Sequence, residues 1–196
     1  MRKLPRVEGR VAVLDRPDVD TDQIIPKQFL KRIERSGYGE FLFYDWMKDP
    51  GFELRQPDAE GASILLAGRN FGCGSSREHA AWALEDYGFL AVLAPSFGDI
   101  FRTNAVKAGL APVVVPAAEL ARVRAAVQDR NELVVDLEAL EVRHPSGLRV
   151  SFELDPYDQE SLVHGLDDIA RTLVHEADIA AFEASHPGRF DARTLA

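Results

Sequence analysis

Residues 63–80 read SILLAGRNFGCGSSREHA, and this order of residue types predicts a strand, a glycine-rich loop and the start of a helix. The apolar run 63–67 has turn-forming residues on both sides, which is typical of a short buried strand. Ser75 stands three residues before Glu78, the spacing of a capping box, so we expect the helix to begin at this point. Apolar side chains at helical spacing extend that helix over residues 77–87, where a glycine ends it.

The loop between this strand and this helix has the chemistry of an anion site. Its glycines allow positive φ angles and let a ligand approach the backbone, and the free N–H groups at a helix start attract negative charge. Arg77 adds a planar guanidinium that suits a carboxylate or a phosphate. Plain helix capping by Ser75 produces the same local pattern without any ligand, so the residues alone leave both interpretations open.

The spacing within the loop excludes two common classes of phosphate-binding site. The loop does not have the spacing of a nucleoside-triphosphate loop, and Arg77 stands where the third glycine of a dinucleotide-binding loop would fall. The hydroxyls of Ser75 and Ser76 beside an arginine instead favour a small polycarboxylate or a phosphate monoester.

A second motif, DVDTDQIIP at residues 18–26, precedes the strand–loop–helix unit. Alternating aspartates suggest a calcium loop, but Gln23 and Phe29 stand where an EF-hand needs glycine and glutamate. Aspartate bonds its own backbone and proline ends regular structure, so this segment is predicted to be a loop. A solvated turn without a ligand is the alternative that the local chemistry leaves open.

Strands and helices alternate along most of the chain, which predicts an α/β fold around a partly parallel sheet. Farther on, strand-like runs form a β-rich insert near 133–154, with a hairpin turn at 145–147. Two short helices are expected from Ser161 with a break near Asp178, and the tail 191–196 is expected to fray. The expected strands span 7–14, 63–67, 89–93, 112–115, 133–137, 140–144 and 148–154, and the expected helices span 77–87, about 96–107 and 117–128.

Composition places the chain among single-domain, soluble proteins. It has 196 residues, 46% of them hydrophobic and 28% charged. We therefore expect one domain over 1–196 with its own core, although the length also fits one domain with a small appendage. The net charge of −9 argues against nucleic acid as a partner, because an acidic surface repels phosphate backbones. No apolar run is long enough to span a membrane, and the first five residues lack the apolar core of a signal peptide, so we expect a cytoplasmic protein.

The chain has one cysteine, Cys73. A single cysteine cannot form an internal disulfide, and it cannot alone ligate zinc or an iron–sulfur cluster. We therefore expect that this chain holds no metal of its own, and that Cys73 is a small, partly buried residue instead of a nucleophile.

The string NFGCGSSREHA at residues 70–80 resembles the signature of the swivel domain of the aconitase family, in the free-standing form of an isopropylmalate isomerase small subunit. The string VDTDQIIP at 19–26 resembles the same subunits, at the same place near the N-terminus. Similarity continues at 41–46 and 95–104. Ala81 departs from the family, in which this position is often proline. The resemblance implies an aconitase-type swivelling β/β/α domain with a mixed sheet flanked by helices.

The resemblance also implies roles for individual residues. The family's catalytic base matches Ser75, and its substrate-binding residues match Ser76 and Arg77. The aspartate that matches Asp22 lies at the family's active site, where it binds or orients the substrate or the serine. Full-length aconitases carry a further substrate-binding arginine after the aspartate motif, and we align no arginine of residues 30–46 with it.

The implied enzyme works only as a complex. Its iron–sulfur large subunit would hold a four-iron, four-sulfur cluster that acts as a Lewis acid on the substrate hydroxyl, and this chain would bind no cofactor. The implied reaction converts a small dicarboxylate, 2-isopropylmalate, to 3-isopropylmalate by dehydration and rehydration, a step of leucine biosynthesis. Alternatives within the family are the small subunits of homoaconitase or of another 2-alkylmalate hydro-lyase. Outside the family, the loop suits a non-catalytic module for a phosphorylated ligand, or a structural subunit in which Ser75 is only a cap.

Overall fold

The computed structural model describes residues 1–31 and 35–186. Backbone contacts divide the chain into two compact units, Met1–Gly165 and Leu166–Ala196. The single domain expected over the whole chain stays a prediction, and the expected fraying of 191–196 falls outside the described residues. Among the described residues, no helix combines the length and the apolar character that crossing a bilayer requires.

The first unit contains the strands and most of the helices. Its strands are β1 (Arg6–Gly9), β2 (Val11–Leu14), β3 (Ile64–Ala67), β4 (Ala91–Ala94), β5 (Ala111–Val114), β6 (Leu133–Asp136), β7 (Glu141–Arg143) and β8 (Arg149–Ser151). Its helices are α1 (Thr21–Ile24), α2 (Glu78–Tyr87), α3 (Asp99–Ala108), α4 (Ala117–Asp129) and α5 (Pro156–His164). Short 3₁₀ turns lie at Lys27–Phe29, Gly39–Phe41, Trp46–Lys48, Glu53–Arg55 and Pro57–Ala59. The second unit holds α6 (Asp168–Leu173) and α7 (Glu176–Ser185).

The strands form two four-stranded sheets. One is parallel in the order β2-β3-β4-β5, and the other is antiparallel in the order β1-β6-β7-β8. The predicted α/β fold is confirmed, but the parallel and antiparallel strands lie in separate sheets instead of one mixed sheet. The strand expected over 7–14 is divided into β1 and β2, because β1 pairs with β6 in the antiparallel sheet and β2 pairs with β3 in the parallel sheet. The chain passes from one sheet to the other at Arg10, whose carbonyl accepts hydrogen bonds from the N–H groups of Ser63 and Ile64.

The parallel sheet is the middle layer of the first unit. On β3, Leu65 and Ala67 belong to the apolar cluster that includes the buried sides of α2 and α3. Ile64 and Leu66 belong to a second cluster, which includes α4 and the antiparallel sheet. Because side chains alternate along a strand, β3 is buried on both faces. The resulting order of antiparallel sheet, parallel sheet and helices agrees with the expected β/β/α arrangement.

The carboxyl ends of the parallel strands bring three loops to one edge of the sheet. β2 and β3 end together, since Leu14 pairs with Ala67, and β4 ends beside β5, since Ala94 pairs with Val114. The loops that follow β2, β3 and β4 therefore leave from one edge. Open α/β sheets bind their ligands at this edge.

The hairpin predicted at 145–147 is present in the antiparallel sheet. The N–H of His144 donates to the Leu148 carbonyl at 3.0 Å, and the N–H of Gly147 donates to the His144 carbonyl at 3.0 Å. Gly147 has a φ of +93°, which glycine adopts without steric cost. The turn joins β7 to β8.

The C-terminal helices differ from the expected pair that begins at Ser161. α5 begins at Pro156, because the Asp155 carboxylate accepts a hydrogen bond from the N–H of Tyr157 at 2.8 Å and caps the helix. Proline at the first position of a helix has no N–H to leave unpaired. The break expected near Asp178 lies at residues 174–175, between α6 and α7.

Candidate functional site

The two motifs that the sequence singles out lie side by side after β2 and β3. Asp20 and Cys73 form an isolated parallel bridge. The N–H of Thr21 donates to the Cys73 carbonyl at 2.9 Å, and the N–H of Gly72 donates to the Val19 carbonyl at 2.8 Å. The glycine-rich loop and the aspartate motif therefore form one backbone framework at the edge of the parallel sheet.

Polar contacts hold the base of this framework. The Asn70 amide donates to Asp18 at 2.9 Å, and Arg69 forms an ion pair with the same carboxylate at 2.9 Å. Asp18 and Asn70 both have a φ of +56°, a left-handed conformation that these residue types tolerate better than most. Gly68 is required beside them, because a Cβ there would lie 2.8 Å from the backbone nitrogen of Pro17.

The start of α2 differs from the predicted capping box. The helix begins at Glu78 after Arg77, whose backbone is extended, and no side chain caps it. A helix capped by Ser75 would have to begin before Arg77, so the predicted box between Ser75 and Glu78 is wrong. A capping box forms instead at α1. There the Asp20 carboxylate accepts from the N–H of Gln23 at 2.8 Å, and the Gln23 side chain accepts from the N–H of Asp20 at 2.9 Å.

The loop ahead of α2 keeps its hydrogen-bonding groups available to a ligand. Ser75 and Ser76 are exposed, and neither hydroxyl bonds to any residue of the ranges 1–31 and 35–186. Within the same ranges, the backbone N–H groups of residues 74–78 have no hydrogen-bond partner. Consecutive free N–H groups at a helix start form a surface that favours anions.

Arg77 is held by the aspartate motif. Only 12% of its side chain is exposed, and its guanidinium donates to Asp22 Oδ2 at 2.8 Å and to the Ile25 carbonyl at 3.4 Å. The hydrogen bond from Arg77, together with its positive charge, lowers the pKa of Asp22 below its ordinary value. The carboxylate therefore stays ionised at neutral pH and fixes the direction in which the guanidinium points.

Two other titratable groups beside the loop are neutral at pH 7. Partial burial lowers the pKa of His79, whose ring packs against Tyr38 and Trp82. Partial burial and the nearby carboxylate of Asp20 raise the pKa of the Cys73 thiol, which keeps it protonated and weakly nucleophilic. Neither group therefore adds charge to the glycine-rich loop.

The tip of the loop is open to solvent in this chain. Gly74, Ser75 and Ser76 are all exposed. Cavities of about 320 Å³ and about 610 Å³ lie elsewhere, beside Tyr87 and beside Arg124, and no residue of either motif lines them. A substrate at the loop would therefore remain in contact with water unless another molecule covered it.

The described part of the chain does not fit an iron–sulfur cluster. It contains no group of three or more His, Cys, Asp or Glu side chains that could hold a metal ion. The full sequence has one cysteine, whereas such clusters are held mainly by several cysteine thiolates.

Residues 35–46, which follow the aspartate motif, pack against α2. The Arg35 guanidinium lies 5.6 Å from the centre of the Trp82 ring. Gly39 packs so closely on the helix end that a Cβ there would lie 2.8 Å from the carbonyl carbon of Asp86. Residues 32–34 of the segment 30–46 lie outside the described residues. The substrate-binding arginine sought in that segment therefore stays unassigned.

Thr21 is a residue of this site that sequence reasoning missed. It is 2% exposed, and its hydroxyl donates to the Ser75 carbonyl at 3.0 Å. The available signal was a threonine inside a string of aspartates, a residue type that often bonds to nearby or crossing backbone. That signal does not name the partner, which lies 54 residues away in the sequence.

Comparison with known proteins gives consistent matches. Residues 1–118 match the family of aconitase C-terminal domains. A 3-isopropylmalate dehydratase small subunit of Parafrankia sp. is 57% identical over 182 residues, covering 92% of this chain and 93% of the relative. Another, of Rubrobacter xylanophilus, is 50% identical over 197 residues and covers 100% of both chains. The crystal structure of 3-isopropylmalate dehydratase from Methanocaldococcus jannaschii matches with a TM-score of 0.68 and 27% identity, covering 88% of this chain and 99% of that one.

Proposed function

This chain belongs to the aconitase family, among the small subunits of 3-isopropylmalate dehydratase, and from that membership we propose that it acts on 2-isopropylmalate. The enzyme is a hydro-lyase, which forms 3-isopropylmalate by dehydration and rehydration in leucine biosynthesis. The observation that carries this function is the 57% and 50% identity to subunits of that name, over 92% and 100% of the chain. It favours isopropylmalate over the homocitrate of a homoaconitase.

We propose that a large subunit completes the active site and holds the four-iron, four-sulfur cluster. The names of the relatives support a large-subunit partner, and the single cysteine supports placing the cluster on that partner. The exposed loop tip supports a surface that the partner covers. A net charge of −9 is consistent with an enzyme that binds no nucleic acid, and the biosynthetic role suits the cytoplasm.

Ser75 is the base in this proposal. It takes a proton from the carbon next to a substrate carboxylate, while the substrate hydroxyl leaves on the side of the large subunit. In the second half of the reaction, hydroxide adds to the carbon that lost the proton, and Ser75 gives its proton to the carbon that lost the hydroxyl, so no atom is gained or lost overall. A serine hydroxyl becomes a strong base only as an alkoxide, whose negative charge must be stabilised. The free N–H groups of residues 74–78 and the start of α2 supply that stabilisation.

Arg77 and Ser76 bind a carboxylate of the substrate. A guanidinium has five N–H donors, so Arg77 has donors left for a substrate carboxylate besides those that contact Asp22 and the Ile25 carbonyl. The Ser76 hydroxyl adds a further donor. A carboxylate repels an anionic substrate, so we do not expect Asp22 to bind it directly. Asp22 acts through Arg77, because it accepts a hydrogen bond of 2.8 Å from the guanidinium and so orients it. Asp22 is therefore a positioning residue in this proposal.

Reconstitution with the large subunit of the same organism tests the proposed substrate. We expect the complex to turn over 2-isopropylmalate, with kcat/KM for homocitrate and methylmalate lower by at least about ten-fold. Homocitrate has a charged carboxyethyl group in place of isopropyl and methylmalate lacks two methyl groups, whereas even one methylene in a pocket is worth about 1–3 kcal/mol. The isolated small subunit should be inactive. Faster turnover of homocitrate would identify a homoaconitase subunit instead. Binding of a phosphorylated ligand by the isolated chain would favour a binding module.

Changing Arg77 to lysine should raise the KM for 2-isopropylmalate about ten-fold or more. Lysine keeps the charge but loses the planar fork, and hydrogen bonds to charged groups are worth about 1.5–3 kcal/mol. Steady-state kinetics of the reconstituted complex measure the change. Arg122→Lys is the matched control, because Arg122 forms an exposed ion pair with Glu119 on α4. An equal KM in the two variants would remove Arg77 from substrate binding.

A further inference from the structure

Thr21 holds two carbonyl groups of the loop that carries Ser75. Its N–H donates to the Cys73 carbonyl at 2.9 Å, and its hydroxyl donates to the Ser75 carbonyl at 3.0 Å. Thr21 is 2% exposed, so water competes weakly for these hydrogen bonds. One buried residue thus fixes two peptide units of the loop, those that begin at the carbonyls of Cys73 and Ser75.

The direction of these carbonyls sets the direction of the loop N–H groups. In a planar trans peptide, the carbonyl and the following N–H point to opposite sides. Because the carbonyls of Cys73 and Ser75 point toward Thr21, the N–H groups of Gly74 and Ser76 point away from it. Neither of these N–H groups has a partner in the part of the chain that the structure describes. They lie on either side of the exposed Ser75 in the sequence.

We propose that the Thr21 hydroxyl is a positioning group for catalysis. By holding the Ser75 carbonyl, it orients the Ser75 side chain and keeps the N–H of Ser76 directed toward the place where negative charge develops. This inference rests on the proposed function, in which Ser75 is the base. Thr21 touches no reacting atom and acts only through the loop.

The contribution of the hydroxyl is separable from the folding of the loop. The hydrogen bond to the Cys73 carbonyl comes from the backbone of Thr21, so a change of side chain leaves it in place. The hydrogen bond from Gly72 to Val19 is also independent of this side chain. Valine has nearly the shape of threonine and lacks the hydroxyl, so Thr21→Val should release the Ser75 carbonyl alone.

The expected result of Thr21→Val is a loss of kcat without a comparable change in KM. In the reconstituted complex, kcat for 2-isopropylmalate should fall at least about ten-fold, since small misplacements of catalytic groups cost up to about 10²-fold. KM should stay within about three-fold, because the Arg77 contact is untouched. Thr21→Ser restores the hydroxyl and should return kcat to within about three-fold of the wild type. Thermal unfolding of each complex shows whether the folded fraction is the same.

Thr103→Val is the matched control. Its hydroxyl donates to the Asp99 carbonyl at 3.2 Å on the exposed side of α3, so the same kind of bond is removed away from the loop. We expect wild-type kinetics for this variant. A purely structural role of Thr21 would lower the unfolding temperature and leave kcat per folded complex unchanged.

Two results would overturn the inference: a kcat for Thr21→Val within about three-fold of the wild type, or a Thr21→Ser variant as slow as the valine variant. If Thr21→Val does not assemble, Thr21→Ser and Thr21→Ala are compared, because these two side chains differ only by the hydroxyl. Equal kcat values would then overturn it. Failure of the proposed function looks different, since the wild-type complex and Thr103→Val would themselves not turn over 2-isopropylmalate, and both proposals would fall.

Discussion

Replacing Ser75 by alanine is expected to lower kcat for 2-isopropylmalate by about 10²- to 10⁴-fold, which is the usual contribution of a positioned general base. The Ser75 hydroxyl is exposed, and no residue among those described bonds to it. Its removal therefore leaves no buried group unpaired, and folding and assembly should be unchanged. Steady-state kinetics measure the loss of turnover, and size-exclusion chromatography with the large subunit measures assembly.

Ser76→Ala distinguishes a base from a binding group at neighbouring positions of the loop. Ser76 is also exposed, and we expect its loss to act mainly on KM, by about ten-fold, as removal of one hydrogen bond to a charged carboxylate does. If Ser75→Ala keeps more than about a tenth of wild-type kcat, or if both variants lose kcat equally, Ser75 is not the base.

Gly72→Ala is expected to lower the free energy of unfolding by about 2–5 kcal/mol. Gly72 has a φ of +73°, and the left-handed backbone costs a residue with a Cβ about 1–2 kcal/mol. That Cβ would lie 2.6 Å from the Cβ of Phe101, which is 2% exposed and packs against Phe71. Phe101 or the loop must move, at a further cost of about 1–3 kcal/mol. Denaturant unfolding measures the total.

Gly61→Ala separates the backbone cost of the Gly72 substitution from the cost of its steric contact with Phe101. Gly61 has a φ of +67°, and a Cβ there would meet no atom within 4 Å. It therefore pays only the backbone cost, about 1–2 kcal/mol. The difference between the two variants measures how tightly Phe101 confines the glycine-rich loop. Equal destabilisation would show that Phe101 yields without cost, and wild-type turnover in Gly72→Ala would show that the loop tolerates the shift.

Much of the fold could be predicted from the sequence, because several of its elements depend on the types of neighbouring residues. The apolar run of β3, the glycines after it and the stripe on α2 each follow from neighbouring residues, and the alternation of elements gave the α/β class. The resemblance of 70–80 and 19–26 to one family placed both strings at one site, and the structure brings them together. The roles given to Ser75, Ser76 and Arg77 stay predictions, because they concern a substrate and a partner.

Other features depended on contacts that the sequence does not show locally. The division of 7–14 into two strands follows from the pairing of β1 with β6 and of β2 with β3, both far along the chain. The spacing of Ser75 and Glu78 fits a capping box, yet the extended backbone of Arg77 prevents one. Such contacts decide between local alternatives of similar energy, so they are known only once the fold is known.

The backbone hydrogen bonds between the aspartate motif and the glycine-rich loop have a consequence for how such enzymes diversify. The segment 26–62 begins directly after the aspartate motif and ends just before β3, whose Ile64 pairs with Val11 of β2. The segment packs Tyr38, Phe43 and Phe52 into the core, so insertions are tolerated only in its exposed turns, such as the one at residues 50–51. Lengthening a flexible turn costs about 0.6 kcal/mol for each doubling of length. These turns can therefore change in length during evolution while Ser75, the proposed base, keeps its place.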